Sequence, residues 1–131
     1  MSVKDKGYLF VYGTLRKDTK HTMHRVLTRY AIYVGKGTFQ GRLYNLGRYP
    51  GAVPSKNKSD RVSGEVYQLR QAGRVFELLD DYEGKLFKRE RAIVHLPAGN
   101  KLTSWTYLYR GPVKESGRIR NGDYLDFLAN R

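Results

Sequence analysis

The chain contains no cysteine, which removes disulfides, thiolate metal centres and cysteine nucleophiles and fits a reducing compartment. It also lacks a long apolar run. The longest near the start, Tyr8-Leu9-Phe10-Val11-Tyr12, is far short of the about 20 residues a bilayer-spanning helix needs and has no signal-peptide organisation around it. The expectation is a cytoplasmic protein without a membrane partner. Acidic residues are scarce, 12 against 25 Lys and Arg, for a formal charge of +13. Histidines number only three. His21 and His24 stand i,i+3 without an HExxH pattern or suitably spaced carboxylates, so the expectation is no metal site. A GxSxG elbow and a phosphate-binding GxxxxGK[ST] loop are absent, since Gly13 is followed by Thr14-Leu15-Arg16. Helix-turn-helix, zinc-finger, RNP-like and KH patterns are missing too.

What is present is enough for one folded unit. The chain has 131 residues, 40% hydrophobic, with 11 tyrosines, five phenylalanines and one tryptophan dispersed along it. Such a chain buries a core rather than forming a disordered basic tail, and residues 1–131 read as a single domain. The cations are spread from Arg16 to Arg120 and broken by apolar or acidic neighbours. A solvated basic surface is the simpler reading, with a nucleic-acid partner as the minority one. The sequence carries nothing on oligomeric state.

Residues 8–12 read as a buried strand ending at Gly13. Met23, Val26, Leu27, Tyr30 and Ala31 recur at helical spacing and predict a helix over 21–33, stopped by Gly35 and Gly37. A strand follows over 38–46, then a tight turn at Tyr49-Pro50-Gly51, a polar loop over 55–60 and a strand over 64–69. The clearest helix covers 71–83, with Gly84 where a left-handed cap is expected. Strands over 89–96 and 103–110, the second with Trp105, Tyr107 and Tyr109 on one face, are joined by a hairpin-like connection at 97–100. A turn at Asn121-Gly122 precedes a short helical or strand-like end. The fold class is α+β: about five to six strands in a curled or barrel-like sheet with two helices.

Two features carry chemistry. At about 100° per residue, Leu78, Tyr82, Val75, Leu79 and Phe76 form the apolar arc of the 71–83 helix, and Glu83 alone among its acids falls inside that arc, between Leu79 and Phe76. Lost hydration and the negative end of the helix dipole both raise the pKa of such a carboxylate toward the general acid/base range. Acids in a last turn also break a local rule, as functional sites often do. The plain alternative is a frayed helix end with Glu83 exposed and paired to Lys85 or Arg89. The second feature is Tyr12-Gly13-Thr14-Leu15, a strand end turning on glycine. Its N–H groups are able to form an anion-binding nest, or the segment is an ordinary turn.

These features stand within longer motifs: Phe10-Val11-Tyr12-Gly13-Thr14-Leu15-Arg16, residues 41–50 (GRLYNLGRYP), Gly64-Glu65-Val66-Tyr67, Leu79-Asp80-Asp81-Tyr82-Glu83-Gly84 with Phe87, Arg89 and Val94, then residues 105–109 (WTYLY) and Gly122-Asp123-Tyr124-Leu125. In order and spacing they resemble the γ-glutamylcyclotransferase-like, or AIG2-like, family from about Leu9 to Phe127. The resemblance implies a small mixed barrel and cyclisation of a γ-glutamyl group to 5-oxoproline with release of the attached amine. It implies Glu83 as acid/base residue, substrate binding by Tyr12, Gly13, Thr14 and Leu15 together with Tyr109, and no cofactor or metal. The partner implied is a small γ-glutamyl amine or amino acid. The sequence departs from the family pattern at Thr19-Lys20-His21-Thr22, where asparagine and histidines often follow the first motif, and at Phe87, where many relatives have tyrosine.

Overall fold

The computed structural model describes residues 7–16 and 22–131. Its strands are β1 (Tyr8–Val11), β2 (Ala31–Asn45), β3 (Pro50–Pro54), β4 (Arg61–Leu69), β5 (Phe87–His95), β6 (Lys101–Tyr109) and β7 (Arg118–Ile119); its helices are α1 (Thr22–Tyr30), α2 (Ala72–Glu83) and α3 (Tyr124–Ala129). The strands run β2-β4-β1-β6-β5, and β5 pairs back onto β2 to close a five-stranded barrel. All pairings are antiparallel except β1 with β6, where Leu9 lies opposite Trp105. The barrel is therefore mixed. β2 is long enough to continue past it, and its far end carries β3 and β7.

β1 is apolar without alternation because both of its faces are covered. Phe10 joins Phe39, Val62, Val66, Val94 and Leu108 inside the barrel, whereas Leu9 and Val11 join Leu27, Leu69, Val75 and Leu79 beneath α1 and α2. The chain leaves β1 at the junction of the two cores, so the loop after it starts from a fixed point.

Three expectations need correction. The helix predicted over 21–33 ends at Tyr30, and β2 begins at Ala31. The run Ile32-Tyr33-Val34 is β-branched and aromatic, and Ile32 and Tyr33 pair with β4 ahead of a register shift at Val34, so sheet formation overrides the helical spacing upstream. The turn placed at Tyr49-Pro50-Gly51 lies one step earlier: Leu46 N–H donates to Tyr49 C=O, and Pro50 and Gly51 already pair with Asn45 and Tyr44. β3 is short and at the sheet's margin, where proline is tolerated. Gly84 has positive φ, 81°, but ψ of −170° rather than a left-handed helical value. The chain thus leaves α2 extended. Among the described residues the strands number seven, and a third helix is added at the end, its N-terminus capped by Asp123 accepting from the Leu125 and Asp126 N–H groups.

Candidate active site

The loop after β1 is a tight turn in which Arg16 N–H donates to Gly13 C=O at 3.1 Å. Arg16 then turns inward and is almost fully buried; its Nε lies 3.2 Å from Glu65 Oε2 and its Nη1 2.9 Å from Asp123 Oδ1. A second anchor is His24 of α1, whose Nδ1 lies 2.9 Å from the Leu15 carbonyl. Gly13 is required by packing: a Cβ there would sit 2.8 Å from Pro50 Cγ, so only glycine lets β3 close against the loop. With these contacts made, the N–H groups of Gly13 and Leu15 enter no hydrogen bond with any described residue.

The loop borders a cavity of about 120 Å³ whose other wall is the end of α2. Tyr12, Gly13, Thr14, Leu15 and Glu83 all line it. The two features named separately in the sequence therefore meet at one cavity. On α2 the buried positions are Ala72, Val75 and Leu79, and Glu83 continues that stripe one turn on, partly covered while Asp80 and Asp81 are exposed. Burial pushes the Glu83 carboxyl up to about 7; no helix-dipole contribution is needed. Neither Lys85 nor Arg89 pairs with it: Arg89 lies 3.4 Å from Asp80 and covers the Phe76 ring at 3.8 Å from its centroid.

Tyr12 forms part of the cavity wall through its own fixed ring. Its hydroxyl donates to Tyr107 C=O at 2.6 Å and accepts from Ala52 N–H at 3.1 Å, both buried. Burial first and the Glu83 charge second hold this phenol far above the ordinary tyrosine range, so it stays neutral. Thr14 Oγ1 lies 2.9 Å from the Tyr82 hydroxyl, joining loop and helix.

Tyr109, the remaining residue implied by the resemblance, does not line the cavity. Its ring packs on Phe87 at 5.3 Å and its Cβ lies close to Gly51. Its neighbour on the same strand face, Tyr107, lines it instead, with its hydroxyl donating to Asp80 at 2.6 Å. Tyr49, Pro50, Tyr82 and Phe87 complete the wall. Sequence reading did not select Tyr49 or Pro50, because only the β2–β3 hairpin brings them over the loop. The motif segment containing them was the available signal. His24 serves the loop, and His21 lies outside the described residues, as do Thr19 and Lys20.

A mixed five-stranded barrel with a backbone-lined turn and a single buried carboxylate at one cavity defines the class, and comparison with known proteins agrees. Residues 9–126 match the family described as gamma-glutamyl cyclotransferase, AIG2-like. The chain belongs to this family. It is 34% identical over 121 residues to the gamma-glutamylcyclotransferase family protein YtfP of Escherichia coli (strain K12), covering 90% of this chain and 96% of that one. The corresponding protein of Citrobacter rodentium is 34% identical over 119 residues, covering 90% and 95%. Among solved structures, the fold recurs in an AIG2-like protein from Mus musculus, with TM-score 0.73 and 21% identity over 91% of this chain and 88% of that chain. It recurs also in an uncharacterized protein from Pyrococcus horikoshii, with TM-score 0.71 and 22% identity over 94% and 93%.

Proposed function

We propose that the protein is a γ-glutamyl cyclotransferase that converts a γ-glutamyl amine or γ-glutamyl amino acid to 5-oxoproline and the free amine, with Glu83 as general acid/base. The observation that carries this reading is the convergence of the Glu83 carboxyl, raised to about 7, with the turn at residues 12–15 in one small cavity.

The reaction needs few protein groups because the substrate brings its own nucleophile. Glu83 takes a proton from the substrate α-ammonium, and the freed amine attacks the γ-carbonyl carbon. Closure of the five-membered ring is intramolecular, so holding the chain folded back supplies much of the rate. The Gly13 and Leu15 N–H groups receive the α-carboxylate or the oxyanion that develops on the γ-carbonyl oxygen. The bond to the leaving nitrogen then breaks as that nitrogen takes the proton from Glu83, and the ring nitrogen gives its second proton to the regenerated carboxylate, which passes it to the released amine or to water. One C–N bond forms and one breaks without change of oxidation state, so the chemistry calls for no redox cofactor. An ordinary glutamate, near 4.3, is poorly matched to the substrate α-ammonium, whose neighbouring α-carboxylate raises it above a chain-terminal amine; a carboxylate near 7 transfers the proton with less penalty.

The test is release of 5-oxoproline by purified protein from a panel of γ-glutamyl amines and amino acids. Release that disappears in Glu83→Gln, with an unchanged circular dichroism spectrum, supports the assignment. Full activity in that variant rejects Glu83 as the acid/base residue, and no release from any member of the panel rejects the reaction.

A further inference from the structure

Away from this cavity, the outer face of the barrel carries a row of cations interleaved with neutral polar side chains. Cross-strand partners point to the same face of a sheet. The register places Lys101 opposite His95, His95 opposite Thr38 and Thr38 opposite Ser63, and places Gln40 opposite Arg61 on the same face. The opposite face of these strands, with Phe39, Val62 and Val94, is the barrel core. The row crosses four strands, about 14 Å at roughly 4.8 Å per strand.

Two adjoining hollows follow this row. One includes Lys36, Thr38 and Ser63, the other Gln40, Lys58 and Lys101, and both include Arg61 and His95. Lys36, Lys58, Arg61 and Lys101 are exposed and make no ion pair with any described residue. The acids beside them are already engaged. Glu65, opposite Lys36, and Asp123 are both held by Arg16, and Asp60 is held by Arg42 and Arg118. Part of the surplus positive charge of the chain thus lies along this row without a neutralising acid.

We propose that this groove binds single-stranded RNA through its phosphodiester backbone. Four free cations along a concave track suit a chain of phosphates, whose bound counterions are released on contact. Hydroxyl and amide groups of Thr38, Ser63 and Gln40, interleaved with the cations, suit phosphate oxygens and the 2′-hydroxyl. Phe39 is buried at 7% exposure, which leaves the half-buried His95 imidazole as the one ring in either hollow within reach of a base, so backbone contacts dominate and binding depends little on base sequence. A planar headgroup surface does not enter a groove.

Fluorescence anisotropy with labelled oligouridylate of about 20 nucleotides, longer than the about 4–16 nucleotides such sites cover, tests the proposal on the full chain. The logarithm of affinity should fall against the logarithm of salt with a slope near −3, from about −0.7 per phosphate for four contacts. Lys36→Gln/Arg61→Gln/Lys101→Gln should weaken binding at least tenfold and bring the slope close to −1, while Arg48→Gln/Arg70→Gln/Lys85→Gln, which removes the same charge elsewhere, should leave it within about twofold. Oligothymidylate should bind more weakly than oligouridylate. Equal losses in the two triple variants, a flat salt response, or equal binding of oligothymidylate overturns the proposal, as does binding to phosphatidylserine vesicles in place of RNA. Because all six positions are exposed, unchanged thermal unfolding is expected of both variants; should the first unfold, the singles Lys36→Gln and Lys101→Gln must each reduce affinity and slope, or the groove is not the site.

Discussion

Thr14 Oγ1 and the Tyr82 hydroxyl lie 2.9 Å apart, so the loop after β1 and the last turn of α2 are joined beside the cavity that both residues line. This bond links the backbone donors to the helix end that carries Glu83. Being partly solvent-exposed, it contributes only about 1 kcal/mol to folding, yet it sets the relative position of the two reacting walls.

Tyr82→Phe should therefore separate stability from function. Thermal unfolding is expected within about 1 kcal/mol of the parent, while kcat/KM for 5-oxoproline release falls several-fold because small misplacement of reacting groups is costly. Equal kcat/KM in parent and variant would show that the link plays no part in positioning.

Glu83→Gln should gain stability as it loses activity. The folded-state pKa is raised, from 4.5 to about 7, so the folded chain resists ionisation that the unfolded chain undergoes freely. Below about pH 4.5 both states are protonated and Glu83 has no effect. Between pH 4.5 and 7 its cost to the fold grows, reaching at most about 3 kcal/mol at 1.36 kcal/mol per unit. Denaturant unfolding of Glu83→Gln should show a gain near this size at pH 8 that shrinks to nothing at pH 4. A loss at pH 8 would mean that the ionised carboxylate is well solvated.

The same shift sets the pH profile. Proton abstraction requires the ionised carboxylate and the substrate ammonium together, so kcat/KM should trace a bell with its acid limb at about pH 7 from Glu83 and its alkaline limb from the substrate ammonium, above about 8. At pH 5 the activity should be about a hundredfold below its maximum. An acid limb at 4.5 would indicate an ordinary exposed glutamate.

How far the sequence reveals this site depends on which interactions create each part. β1 was legible because a strand covered on both faces must be apolar throughout, and Glu83 was legible because one helical turn fixes its phase relative to Val75 and Leu79. Tyr49 and Pro50 were not, since their approach to Gly13 depends on barrel closure and the β2–β3 hairpin. Choosing between Tyr107 and Tyr109 likewise depends on Phe87 and Gly51, neighbours from other strands. The start of β2 was missed for a related reason: local helical spacing at 23–31 runs into a segment whose pairing with β4 is a long-range event.

Tyr12→Phe tests a positioning role for a residue at the centre of the first motif. The hydroxyl satisfies two buried backbone groups, Tyr107 C=O and Ala52 N–H, and its removal orphans both, at about 1–3 kcal/mol each. The expected outcome is a loss of about 2–4 kcal/mol in denaturant unfolding, together with a reduced kcat and an unchanged acid limb of the pH profile. A shifted limb with unchanged stability would instead make Tyr12 a direct proton carrier.

The buried Arg16 gives the last prediction. Arg16 and Glu65 are 5% and 2% exposed, and Asp123 holds the second arm of the guanidinium. Arg16→Met takes the guanidinium from both Glu65 and Asp123 and should cost about 3–5 kcal/mol, whereas Glu65→Leu, which leaves Arg16 on Asp123, should cost less. The double variant, which replaces the pair by apolar groups, should be at least as stable as either single one, since the attraction lost was offset by desolvation from the start. Function should not recover in parallel. Arg16 closes the turn whose residues Gly13 and Leu15 line the cavity, and methionine cannot span from Glu65 to Asp123 to hold it there. A double variant with restored unfolding free energy but weak 5-oxoproline release would show that the ion pair is kept for the geometry of the loop; restored activity would show that packing alone suffices.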